Sequence, residues 1–213
     1  MRVNKGLMIA ATFDPTKRTS LITVADMCRK IEENSISLPL YQRDISWTLQ
    51  KCIDLLNYQL WGKAPVSPIS INVINTVDSA VPQVSFIDRE IISTIERGQY
   101  SVVDGQQRLT TNYKAYCNHD DFRNIVLDLG KGEFTEVRDS IRSNQIPVGI
   151  LLNKEDTKLF EYTKAKSALG SADVLSVLLQ VRSKMRNYNY TLNSAEDLTE
   201  DEQIEWFEVL NNA

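Results

Sequence analysis

Residues 101–111, Ser-Val-Val-Asp-Gly-Gln-Gln-Arg-Leu-Thr-Thr, constrain the fold more than any other stretch. Tyr100 to Val103 reads as a strand, Asp104-Gly105 turns the chain, and a helix runs from about Gln106 to Asn118. A strand that enters a helix through one tight glycine turn belongs to an α/β body rather than to a bundle or a sandwich.

The surrounding pattern agrees. Thr23 starts a helix to about Glu33, with Asp26 in a capping-box-like position. Ile36 to Tyr41 alternates as a short strand that Pro39 confines to an edge. Thr48 caps a helix whose Leu49, Cys52, Ile53, Leu56 and Leu60 keep helical spacing up to Gly62. Pro68 to Ile74 is a strand. Ile87, Ile91, Ile92 and Ile95 suggest a helix stopped by Gly98, with strand as the alternative. Strands 125–129 and 134–137 flank a Gly130-Lys131-Gly132 turn. From Lys154 onward the spacing is helical, ending in a helix over about 200–210. The expected organisation is a loose arm at 1–20, an α/β (α+β) domain at 21–150 and a helical region at 151–213. The last of these stops in WFEVLNNA without a cap, as a fragment of something longer would.

Counting excludes several chemistries. The chain has one His, so an HNH nuclease, an HExxH zinc protease and an HD phosphohydrolase are all ruled out within it. His119 is read as ending a helix, where an imidazole meets free carbonyls. No GxxxxGK[ST] occurs, so there is no P-loop. Three Cys fit neither a disulfide framework nor a zinc site; Cys28, Cys52 and Cys117 sit at helical positions and read as packing. No apolar run reaches the ~18–20 residues of a membrane helix. Leu7 to Phe13 imitates a signal peptide without a cleavage site, so the cytoplasm is the expected compartment. The net charge is −4, but seven acids and no base fall in 193–213. The other 192 residues carry 24 bases against 21 acids, a net +3 that leaves nucleic-acid binding open.

Two segments can carry chemistry. At the Asp104–Thr111 turn, Gly105 admits a ligand close to the backbone. Free N–H groups of the first helical turn, the helix dipole and Arg108 make an anion site, with Thr110 and Thr111 adding hydroxyls. Asp104 can cap the helix, hold a metal or position a water. The plainer alternative is a capped helix with a surface arginine. The second segment is Leu38-Pro39-Leu40-Tyr41-Gln42-Arg43-Asp44-Ile45-Ser46-Trp47. Arg43 can pair with phosphate, Tyr41 or Trp47 can stack on a base, and Gln42 can read a base edge. The alternative is two core-anchoring aromatics and a strand-end Arg–Asp pair. Both segments sit at strand ends, so they are expected to meet in one cleft.

Together, PxYQRxxxW and VVDGQQRLTT resemble the N-terminal domain family of GmrSD-type modification-dependent restriction enzymes. Pro147-Val-Gly-Ile-Leu-Leu152 and Trp206-Phe207-Glu208-Val209-Leu210-Asn211 resemble further pieces of it, so the likeness covers about 20–213. The resemblance implies a ParB/sulfiredoxin-like small mixed sheet with helices. It also implies a domain of antiphage defence that binds and hydrolyses nucleoside triphosphate, with or without Mg2+. That domain senses modified DNA and controls a nuclease carried by another domain or subunit. By that likeness Asp104, Gly105, Gln106, Gln107 and Arg108 form the triphosphate and hydrolysis site. Tyr41, Gln42 and Arg43 line the same pocket or, with Trp47, sense the DNA. Sulfiredoxin chemistry is not expected, since no Cys lies in the turn. A non-catalytic nucleotide- or DNA-binding module and an inactive remnant stand as the alternatives.

Overall fold

The computed structural model describes residues 2–13, 18–42 and 47–212. The helices are α1 (Lys5–Ala10), α2 (Val24–Glu32), α3 (Leu49–Trp61), α4 (Gln106–Tyr116), α5 (Val148–Leu151), α6 (Asp156–Ala165), α7 (Ala172–Arg186) and α8 (Glu200–Asn212). The strands are β1 (Arg18–Thr23), β2 (Ile36–Pro39), β3 (Ile69–Ile74), β4 (Gln83–Val84), β5 (Gln99–Asp104), β6 (Ile125–Asp128), β7 (Glu133–Glu136), β8 (Gln145–Pro147) and β9 (Asn189–Glu196).

The helices start where their caps say. Thr23 Oγ1 accepts from the Asp26 N–H at 3.1 Å, and Val24, Met27, Cys28 and Ile31 then bury one stripe of α2. Thr48 accepts from the Lys51 N–H and opens α3, which buries Cys52, Ile53, Leu56 and Leu60. The main sheet has six strands in the order β1-β9-β3-β5-β2-β4, and a three-stranded sheet runs β7-β6-β8. The larger sheet is mixed: β3–β9 and β2–β5 pair in parallel, while β1–β9, β3–β5 and β2–β4 are antiparallel. The fold is therefore α+β.

Two apolar cores result. One joins the main sheet to α2 and includes Met27, Leu38, Ile71, Val102, Leu109 and Tyr190. The other joins α3 to the small sheet and to α5–α7 through Leu56, Ile125, Phe134, Leu151, Leu159 and Leu178. Each such buried side chain contributes roughly 1.5–3 kcal/mol. Helix α4 belongs to both cores, with Leu109 in the first and Ala115 in the second. The helix that follows the DGQQR turn is thus clamped from two sides.

Four expectations need correcting. The helical reading after Lys154 misses β9, whose Tyr190 and Leu192 are buried between β1 and β3. Residues 87–95 form no helix: the Ser85 N–H donates to the Glu90 carbonyl, Arg89 takes φ +52°, and Ile91 is 72% exposed. Strand β2 is not an edge, because β4 pairs beside it; Pro39, which has no N–H, is its last residue and lies opposite Gln83. His119 does not meet helix-end carbonyls; its Nδ1 accepts the Asp121 N–H and opens the 3-10 turn Asp120–Phe122. The three cysteines are free thiols, and burial pushes the Cys28 thiol well above its ordinary range.

Candidate functional site

Asp104 is the last residue of β5, an interior strand paired with β3 and β2, and α4 starts two residues later. Between them Gly105 has φ +100°, in the left-handed region, and a Cβ there would lie 2.4 Å from Ile69 Cδ1. Only glycine makes this turn without strain. Asp104 does not cap the helix, since Gly105 occupies the N-cap without any side-chain bond. Instead Asp104 Oδ2 accepts from Arg108 Nη2 at 2.9 Å. Nor is Arg108 a surface arginine. Its side chain is 13% exposed, and it also donates to the Ser67 carbonyl at 3.0 Å and the Pro68 carbonyl at 3.3 Å. The guanidinium braces the turn against the entry to β3.

The second segment reaches the same turn. Gln42 Nε2 donates to the Val102 and Val103 carbonyls, both at 2.8 Å, just before Asp104. Both of its amide hydrogens are thus held by main chain, leaving Oε1 buried and without a partner. The Trp47 N–H donates to Gln107 Oε1 at 3.0 Å. The flanks of this segment therefore converge on opposite sides of Gly105-Gln106, about sixty residues away in sequence. Arg43 lies outside the described residues. Tyr41 engages α8: its hydroxyl donates to Gln203 Oε1 at 3.3 Å. Burial, then the nearby Glu200 carboxylate, push the Tyr41 phenol up to about 12.

Thr111 Oγ1 donates back to the Gln107 carbonyl at 2.8 Å, whereas Thr110 Oγ1 is buried with no partner. Sequence reasoning missed Arg89. Its Nη2 donates to the Gln42 carbonyl at 2.6 Å and to that of Leu40, while Nη1 is buried and unpartnered. Nothing in the sequence around Arg89 signals this. Lys114, also missed, was within reach, because it continues the α4 stripe of Gln107, Thr110 and Thr111 at helical spacing. Among the described residues, no group of three or more His, Cys, Asp or Glu is placed to hold a metal ion. No helix among them is long and apolar enough to cross a membrane.

The module is thus a mixed α+β body whose strand–glycine–helix turn is met by the Gln42 side chain and the Trp47 N–H. Residues 24–213 match the family described as GmrSD restriction endonuclease, N-terminal domain, and the chain belongs to that family. It is accordingly a component of a restriction or defence system. Among curated proteins the chain finds no match.

Proposed function

We propose that this chain is the nucleotide-binding, nucleotide-hydrolysing control module of a DNA restriction system, acting on a nuclease carried by another domain or subunit. One observation carries the reading: Gln42 and Trp47 fold onto the β5–α4 turn from either side. The start of α4 then offers the main-chain N–H of Gln106 and the positive helix end to a phosphate. Asp104, held by Arg108, is the carboxylate placed to orient a water or to meet an ion that travels with the phosphates. Arg108 adds positive charge from behind the turn, and Arg43 is the further cation proposed for the phosphates. The Tyr41–Trp47 segment is the part proposed to sense modified DNA. A second reading, binding without turnover, is favoured by the Asp104–Arg108 ion pair, which keeps the carboxylate engaged.

A hydrolysis assay across the four nucleoside triphosphates, with and without DNA, separates the two. Under the enzymatic reading Asp104→Asn lowers turnover by at least about tenfold while binding persists. Binding without turnover in the wild type selects the second reading, and no binding rejects both. The chain alone is expected not to cut DNA, having a single His. Metal-dependent cleavage of a supercoiled plasmid, lost in a carboxylate variant, would overturn that.

A further inference from the structure

A cavity of about 320 Å³ lies between the first turn of α3, one flank of α4 and the 3-10 turn at Asp120–Phe122. Ligand pockets run from ~300 to ~1,000 Å³, so this one has room for a single ring system. Its walls differ in kind. Trp47, Leu49 and Phe122 supply apolar surface. The α4 stripe of Gln107, Thr110 and Lys114 supplies the polar edge, where Lys114 Nζ pairs with Asp121 Oδ2 at 2.5 Å. Within that edge Thr110 Oγ1 is buried and makes no hydrogen bond. A buried hydroxyl without a partner destabilises the free protein, and a ligand atom in the cavity is the natural partner.

From this arrangement we infer that the cavity receives a nucleobase, flat against Trp47, with its edge on the Thr110 hydroxyl and the Lys114–Asp121 pair. An aromatic face beside mixed donors and acceptors suits a heteroaromatic ring rather than a sugar or an aliphatic chain. The base comes either from a free nucleoside triphosphate or from a nucleotide turned out of DNA. The inference rests on the nucleotide reading above only for the first of these sources.

Calorimetric titration of the full chain tests it. The probes are inorganic tripolyphosphate, the four nucleoside triphosphates, and a single-stranded oligonucleotide with or without one abasic position. Thr110→Val is expected to weaken the base-bearing ligand about tenfold, the equivalent of one lost hydrogen bond, and to leave tripolyphosphate unchanged. Thr110→Ser restores binding, and Trp47→Ala weakens the same ligand. The valine variant melts no lower than wild type, because the hydroxyl it removes has no partner in the free chain. Sensitivity to the mutation with triphosphates identifies the free nucleotide as the source. Sensitivity only with the oligonucleotide identifies a DNA base, and then the triphosphate reading falls while the pocket stands. Triphosphates and oligonucleotide that bind Thr110→Val as tightly as wild type overturn the pocket and leave the phosphate site untouched. A wild type that binds triphosphates no better than tripolyphosphate, and is indifferent to the abasic position, overturns it too.

Discussion

Replacing Gly105 with alanine tests the turn on which the site depends, and its cost divides into two parts. Alanine in left-handed backbone costs roughly 1–2 kcal/mol, and φ at Gly105 is +100°. The added Cβ would also lie 2.4 Å from Ile69 Cδ1, inside any ordinary contact. Ile69 is fully buried, so overpacking adds roughly 1–3 kcal/mol. The sum, roughly 2–5 kcal/mol, is a large part of a stability that for a domain is about 5–15 kcal/mol. The protein still folds, and urea unfolding measures the loss. Ile69→Val removes the offending Cδ1 at a cost of about 0.5–1.5 kcal/mol. In that background Gly105→Ala retains its backbone part and the 3.1 Å approach of its Cβ to Arg108 Nη2, so the double-mutant cycle should show a coupling of about 1–3 kcal/mol from the lost Ile69 clash. Equal costs in both backgrounds refute the steric part. A cost below about 0.5 kcal/mol in either, where surface substitutions normally fall, refutes the requirement for glycine.

Arg108→Ala should destabilise the chain by roughly 1.5–3 kcal/mol, since the charge-assisted bond to Asp104 is lost together with the donors to the Ser67 and Pro68 carbonyls. Arg108→Ala should also weaken triphosphate binding about tenfold or more, and Arg108→Lys should recover only part of both losses, keeping the charge without the bidentate fork; unfolding curves that superpose on wild type would remove the brace. The buried Asp128 carboxylate accepts from Gln145 Nε2 at 2.7 Å and from the Gly130 and Lys131 N–H groups, and those bonds, Gln145 first, hold its pKa below the ordinary range. Its contribution is therefore complete above the unfolded pKa of about 3.9 and is lost as pH falls through the lower folded value. Asp128→Asn should be less stable at pH 7 by about 1–2 kcal/mol, and the gap should close below pH ~4; a gap that widens in acid contradicts the assignment.

The turn was legible because each of its residues announces itself locally. Two valines, an Asp-Gly pair and a polar helical start allow little besides strand, turn and helix. The caps of α2 and α3 were legible for the same reason, in Thr23 and Thr48. Strand β9 was not. Its sequence, Asn-Tyr-Thr-Leu-Asn-Ser-Ala-Glu, has weak alternation, and pairing on both flanks rather than propensity makes it a strand. The isoleucines at 87–95 misled through spacing alone, since a left-handed Arg89 interrupts any helix there. In the site, the approach of the two segments followed from their place at strand ends. The engagement of Arg108 did not, because its partners Ser67 and Pro68 lie some forty residues upstream and offer only carbonyls.

The order of strands in the main sheet sets a timetable for synthesis. Strand β9 lies between β1 and β3, so residues 18–23 and 69–74 leave the ribosome long before their common partner at 189–196 exists. At ~5–20 residues per second, β3 waits roughly 6–25 seconds with one edge bare. During that interval Ile69 and Ile71, both buried in the finished protein, lie in a strand whose β9 edge is unpaired. The nascent chain is thus most exposed to wrong pairing just before its last strand emerges, and a chaperone that shields β3 would act in that window.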